Sequence, residues 1–303
     1  GAKLVLPGGG MDAASIYELM ETEGVTLSAG VPTIWLMLLR YLADNEFKLS
    51  TVNRVSVGGA ACPLSIIRDF DVLHGVNVIQ AWGMTETSPL GTVVALKPEH
   101  TDIDVEKRYR IQATQGRPVF GVDIRIVDDH GAELVRDGIT SGHLQVRGYW
   151  VCSEYFNVDM DSPLENGWFP TGDIASISPS GYLQITDRAK DLIKSGGEWI
   201  SSIELENAAT SIDGVVEAAV IGVSHPRWDE RPLMLIIAKD DTLRKQDVIA
   251  YLQGKFAKWW LPEDVLFVNE IPHTATGKIS KLSLREQYRD CYTNNDREGT
   301  ALV

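Results

Sequence analysis

The chain is 303 residues long, 44% hydrophobic and 23% charged, with a formal net charge of −14. That length and apolar share allow two domains with cores of their own, and the acidity excludes a broad nucleic-acid-binding face, which would need the opposite sign. Cys62, Cys152 and Cys291 lie far apart and form neither a CxxC pair nor a zinc spacing, so free thiols in a reducing, cytoplasmic compartment are expected.

Residues 1–95 read as strand then helix, repeated. AKLVL (2–6) reads as a strand, followed by a Gly-rich turn and a helix over 12–23. VTLSAG (25–30) leads to the helix PTIWLMLLRYLADN (32–45), and NRVSVGG (53–59) leads to PLSIIRDFDVLHG (63–75). VNVIQAW (76–82) runs into the polar turn GMTETSPLG. Short apolar strands between amphipathic helices specify an α/β fold with a mainly parallel sheet covered on both faces. Ligands in such sheets sit beyond the carboxyl ends of the strands. GGAAC (58–62) and the 83–91 turn both stand at such ends. The most apolar stretch, VPTIWLMLL (31–39), falls short of the roughly 20 residues needed to cross a bilayer, so no membrane span is expected.

Residues 96–187 change character. GVDIRIVDDHGAEL, SGHLQVRGYWV and GWFPTGDIASISPSGYLQITD alternate apolar and polar residues between Gly, Asp and Asn turns, which predicts antiparallel β structure, as a small barrel or a distorted sheet. Residues 188–303 form a smaller α+β domain. After DRAKDLIKSGGEW comes a helix (SSIELENAATSI), two strands (VVEAAVIGVS and PLMLIIAKD) and a helix (KQDVIAYLQGKFAKW). A strand (DVLFVNEIP) and the helix KLSLREQYRDCY follow.

Several short motifs each admit two readings. Thr85, Glu86, Thr87 and Ser88 either cap a strand end or offer oxygens to a phosphate and its metal ion. Asp173, closing GWFPTGD, either makes an Asx turn or accepts from the paired hydroxyls of a sugar. Lys278, after Thr-Gly in IPHTATGKISK, is either a solubility lysine or an ammonium reaching a ligand where glycine lets the backbone approach. TDRAKDLIKSGGEWIS is either a solvated linker or a functional junction.

Taken together and in this order, AWGMTETSP, GWFPTGD, DRAKD, KSGGEWISSIELEN, HPRWDERP and FAKWWLPEDVLFVNEIPHTATGKI resemble the adenylate-forming superfamily. The likeness runs from near Gly1 to about Tyr292 and is greatest to the fatty-acyl-CoA ligase branch. It implies that 1–187 is part of a large adenylate-forming domain and that 188–303 is a mobile domain turning on a hinge near Lys190. The implied activity is an ATP-dependent carboxylic acid–CoA ligase. It forms an acyl-adenylate and then a thioester, using ATP, Mg²⁺ and coenzyme A with AMP as product. The resemblance leaves room for a homodimer.

The resemblance also implies roles for single residues. Gly59, Ala60, Ala61, Trp82, Gly83, Met84, Thr85, Asp173 and Arg188 would bind the nucleotide. Among them Trp82 would stack on adenine, Thr85 hold the α-phosphate, and Asp173 and Arg188 hold the ribose. Glu86 would bind Mg²⁺, and Gly58, Gly59 and Gly83 would leave room for the acyl group. Lys278 would be the adenylation lysine. Gly196, Gly197, Glu198 and Trp199 would form the CoA face, although Trp199 also fits as a core residue. Glu230 would accept the thiol proton, unless it forms a structural pair with Arg227 or Arg231. His143 stands where the family commonly has Glu.

The family's Ser/Thr/Gly-rich phosphate loop, ending in Pro-Lys-Gly, does not occur in these residues. The chain is therefore expected to be part of a longer enzyme and inactive alone. Its acid is expected to be a medium or long aliphatic acid, or a short thioether acid such as methylmercaptopropionate. The alternatives are an adenylation domain that loads a carrier protein and a non-catalytic module that binds AMP or CoA.

Overall fold

The structure, a computed structural model, describes residues 1–100, 102–157, 163–274 and 278–292. Its internal contacts divide it into two compact units, Gly1–Ile185 and the residues from Thr186 onward.

In the first unit, β1 (Leu27–Gly30), β2 (Arg54–Val57) and β3 (Asn77–Gly83) pair in parallel in that order. β4 (Leu90–Val93) and β5 (Arg117–Pro118) then extend the sheet antiparallel, so it is mixed rather than wholly parallel. α1 (Ala13–Glu23) begins where the Asp12 carboxylate accepts the Ser15 N–H and ends at Gly24 in the left-handed region. α2 (Pro32–Asp44) starts on a proline whose missing N–H is no loss there. It buries Trp35, Leu38, Leu39 and Leu42, three and four residues apart, which makes one continuous apolar stripe. α3 (Leu64–His74) adds Ile66, Ile67 and Phe70 to the same core. Burying each of these large side chains contributes about 1.5–3 kcal/mol.

Two expectations fail here. Residues 2–6 form no strand, and Leu4 and Leu6 are 85% and 83% exposed. An apolar run becomes a strand only where a neighbouring edge pairs its N–H and C=O groups. A fourth helix, α4 (Val105–Gln112), was not foreseen, because its sequence VEKRYRIQ buries only Tyr109 and Gln112 and shows no apolar period. Asp104 starts it by accepting the Glu106 and Lys107 N–H groups.

The β-rich stretch is a four-stranded sheet ordered β6 (Val122–Val127), β7 (Gly142–Gly148), β8 (Phe169–Ile177), β9 (Leu183–Arg188). The first three run antiparallel to their neighbours. Val122, Ile124 and Ile126 alternate inward and pack with Leu144, Val146, Phe169 and Trp82. Of the two expected forms, barrel or sheet, the described residues show a sheet of linear order.

The second unit is built on β10 (Ile193–Ser195), β11 (Glu198–Ile200), β12 (Val215–His225), β13 (Asp229–Ala238) and β14 (Asp264–Phe267). The order is β11-β10-β13-β12, and β14 also pairs with β13, in parallel, off that path. Ala218, Val220, Met234 and Ile236 face the cluster under α5 (Ser202–Ala209) and α6 (Lys245–Gln253). Ala219, Ile221, Leu233 and Leu235 face the opposite cluster with Leu284 of α7 (Lys281–Gln287). The period of two sends alternate residues to opposite faces, and both faces are covered. The presumed linker is mostly ordered sheet, since Ile193 and Ile200 pair across the β10–β11 hairpin and are fully buried. α6 stops at Gln253, short of the helix expected over 245–259, and Lys258–Trp260 forms a separate 3-10 turn.

Candidate active site

β3 ends in a one-turn 3-10 helix, Thr85–Thr87, followed by a cis Ser88–Pro89 bond. Its hydroxyls divide by position. Thr87 is buried, and its Oγ1 accepts the Met84 N–H at 2.9 Å and donates to the Pro89 carbonyl at 2.7 Å. Ser88 donates to the Trp150 carbonyl at 3.0 Å. Thr87 and Ser88 therefore do the local turn work, while Thr85 is exposed and Glu86 half-exposed at the carboxyl end of a central strand. Gly83 serves this turn directly. A β-carbon there would meet the Pro89 carbonyl oxygen at 1.7 Å, so the missing side chain lets β3 and β4 close.

The Trp82 indole is only 9% exposed and packs in the β6–β8 cluster, with its ring against Gly91. It is thus not an open stacking platform in this structure. Its Nε1 donates to Asp173 Oδ2 at 3.1 Å, and Asp173, 3% exposed, also takes its backbone N–H to the Thr171 hydroxyl. A buried carboxylate needs a donor such as the Trp82 indole. Gly58, Gly59, Ala60 and Ala61 follow β2, which lies next to β3, and Gly59 and Ala60 are exposed. Gly59 has φ +84°, a conformation that favours glycine. The structure thus gathers the predicted residues of this unit at the ends of β2 and β3 and at the middle of β8.

One neighbour of Glu86 carried no sequence signal. The Tyr155 phenol donates to Glu86 Oε1 at 2.9 Å. Partial burial and that carboxylate push the phenol up to about 12, so it keeps its proton at neutral pH. Tyr155 lies 69 residues away in an irregular segment, and no local pattern links the two.

In the second unit, Arg188 ends β9 and Lys190 is exposed in the following turn, where the Asp191 and Leu192 N–H groups donate to the Arg188 carbonyl. Upstream of Lys190, the Ser201 hydroxyl donates to the Thr186 carbonyl, and Asp187 Oδ2 accepts both the Ser202 N–H and hydroxyl at 2.6 Å. Gly196 and Gly197 make the β10–β11 turn, both with positive φ. Trp199 is 51% exposed with the Lys194 ammonium 4.8 Å over its ring, which rules out the core reading. Glu198 is exposed in the same strand.

Glu230 has a different partner from either sequence alternative. Its Oε2 accepts the Lys194 N–H at 3.0 Å, and its carboxylate lies against Gly222. Arg231 instead pairs with Glu263 and donates to Ser195 and to the Trp259 and Leu261 carbonyls. Lys278 is exposed, and its carbonyl accepts the Thr274 N–H at 2.7 Å. Lys281, at the start of α7, sits 2.8 Å from Glu206 and donates to Ser202. Burial pushes the Glu206 carboxyl up, with Lys281 pulling it back.

Among the described residues no helix is long and apolar enough to cross a membrane, and no three His, Cys, Asp or Glu side chains group to hold a metal. Residues 1–156 match the sequence model described as AMP-binding enzyme, and 204–278 match that of the AMP-binding enzyme C-terminal domain. The chain is 47% identical over 294 residues to 3-methylmercaptopropionyl-CoA ligase of Ruegeria lacuscaerulensis, an alignment covering 97% of the chain and 54% of the relative. It is 47% identical over 291 residues to medium-chain-fatty-acid–CoA ligase of Ectopseudomonas oleovorans, covering 96% and 53%. Among solved structures, the anthranilate CoA ligase AuaEII in complex with anthranoyl-AMP superposes with a TM-score of 0.83 at 25% identity, over 95% of the chain and 55% of that structure. ATP-bound MatB from Rhodopseudomonas palustris superposes at 0.79 and 30% identity, over 93% and 54%. The chain spans about half the length of the curated relatives it matches. On these matches, and with an α/β fold like theirs, the chain belongs to the AMP-binding enzyme family.

Proposed function

We infer that the chain is part of an AMP-forming carboxylic acid–CoA ligase. One observation carries the reading: the Trp82–Asp173 hydrogen bond ties a buried carboxylate, suited to a ribose diol, to the strand end where Thr85 and Glu86 stand accessible. The 47% identity to relatives named as acid–CoA ligases supports it. The donors also fit Mg²⁺, which binds through one or two carboxylates plus substrate phosphate oxygens and needs no cage of protein ligands. Glu86 would hold the ion, and its charge would offset that of the phosphates.

In the first half-reaction the acid's carboxylate oxygen attacks the α-phosphorus of ATP, and pyrophosphate leaves with the electrons of the broken P–O bond. Two anions must meet, so catalysis is mostly positioning and cationic stabilisation. Thr85 would donate to the α-phosphate, and Lys278 would bridge it to the carboxylate. Removing one such group typically costs about 10²-fold or more in rate. In the second half-reaction the CoA sulfur attacks the acyl carbonyl and AMP leaves. Gly196 and Gly197 would make room for the pantetheine arm beside Trp199, and a turn about Lys190 would exchange the Lys278 face for that one.

The proposed acid is medium-chain or longer, or a short thioether acid, and the proposed setting is the cytoplasm. The test uses the full-length enzyme, with pyrophosphate release and CoA consumption followed over acids from C2 to C16 plus methylmercaptopropionate. Lys278→Ala is expected to abolish adenylate formation while sparing thioester formation from preformed acyl-adenylate. Equal loss of both steps overturns the role of Lys278. Loading of a carrier protein in place of CoA overturns the ligase reading.

A further inference from the structure

Glu86 is held by more than its own turn. Beside the Tyr155 phenol at its Oε1, the backbone leading to the tyrosine is stitched to the backbone carrying the glutamate. The Cys152 N–H donates to the Glu86 carbonyl at 2.8 Å. The Ser88 hydroxyl donates to the Trp150 carbonyl at 3.0 Å, and the Trp150 indole N–H donates to the Leu90 carbonyl at 3.1 Å. These three bonds join residues 150–152 to residues 86–90, all within the first unit. The phenol therefore reaches the carboxylate from an anchored segment rather than by a chance rotamer.

We propose that Tyr155 is a positioning residue for the Mg²⁺·ATP site: it pins one carboxylate oxygen of Glu86 and so presents the other to the metal. This rests on the reading of Glu86 as the Mg²⁺ ligand. A half-exposed glutamate has three free side-chain torsions, and a ligand that must arrest them loses affinity to that ordering. A phenol already bound to Oε1 arrests them beforehand. It leaves the charge of the carboxylate in place, so the metal still meets an anion.

The full-length enzyme with bound ATP provides the test, with Mn²⁺ binding read by electron paramagnetic resonance. Tyr155→Phe keeps the ring and removes the donor. It is expected to weaken Mn²⁺ binding about 3- to 30-fold, a hydrogen bond to a charged group discounted for partial exposure. ATP affinity in EDTA and the melting temperature should stay near wild type. Fluorotyrosine at 155, a stronger donor, is expected to tighten Mn²⁺ binding, and it tests the idea even if the phenylalanine variant does not fold. Unchanged or tighter binding in a folded Tyr155→Phe protein, or no response to fluorination, overturns the proposal. Glu86→Gln separates the two levels. If it retains wild-type Mn²⁺ binding, the reading of Glu86 fails and the inference goes with it. If it loses Mn²⁺ while the Tyr155 variants are silent, only the inference fails.

Discussion

The Trp82 indole N–H and the Asp173 carboxylate, 91 residues apart in the chain, meet at 3.1 Å and join the end of β3 to the middle of β8. Trp82→Phe removes a donor from a buried carboxylate, which costs about 1.5–3 kcal/mol for a bond to a charged group. Two results are expected: lower stability in denaturant and weaker AMP binding, because Asp173 loses the indole donor. Calorimetric AMP titration of the variant checks this, and unchanged affinity would separate Trp82 from the nucleotide site.

Gly83→Ala is expected to cost about 3 kcal/mol or more, because its β-carbon meets backbone at Pro89 and the turn has no flexible side chain to move aside. Gly197→Ala keeps open space around the new methyl and pays only for its positive φ, so it should be milder. Urea denaturation of both variants gives the comparison.

Lys281→Met leaves Glu206 buried without its cation and is expected to destabilise by about 3–5 kcal/mol. Adding Glu206→Gln should restore much of the loss. Burial alone would lower the Lys281 ammonium, but Glu206, Asp187 and Asp191 outweigh it and hold it above its ordinary value. A cation raised in this way stabilises the fold below its unfolded value, about 10.4, and loses that contribution as pH rises through the still higher folded value. Melting curves between pH 8 and 11.5 should show the wild-type advantage over Lys281→Met narrowing only above about pH 10.4.

Lys190→Pro fixes φ in the turn after Arg188. In the full-length enzyme it is expected to permit adenylate formation and block thioester formation, read by single-turnover assays of each step. Normal overall turnover would move the pivot upstream to Ile185–Thr186, where the contact boundary falls and beyond which Thr186 and Asp187 are already bound to Ser201 and Ser202.

The repeating βα pattern was legible because its helices carry whole apolar stripes, such as Trp35, Leu38, Leu39 and Leu42. α4 was not, since its burial is confined to Tyr109 and Gln112. The hydroxyls of the 85–88 turn could be quoted from sequence, but only packing sorted Thr87 into the turn and left Thr85 outside. Tyr155 and Lys281 escaped notice because their partners, Glu86 and Glu206, lie 69 and 75 residues away, and pairing at that range leaves no period in the sequence. The Glu230 partner leaves no sequence signal for a related reason: it is a backbone N–H, which every residue but proline carries.

The β10–β11 hairpin is two-sided. Ile193 pairs with Ile200 on the covered face, and Lys194 pairs with Trp199 on the open one. Because neighbouring residues point to opposite faces, a slip of β11 by one position would flip its side chains while β10 keeps its own. One extra residue at Gly196–Gly197 would then turn the Trp199 indole toward the core and push Ile200 into water. The length of a two-glycine turn thus decides which surface this edge of the sheet shows to solvent.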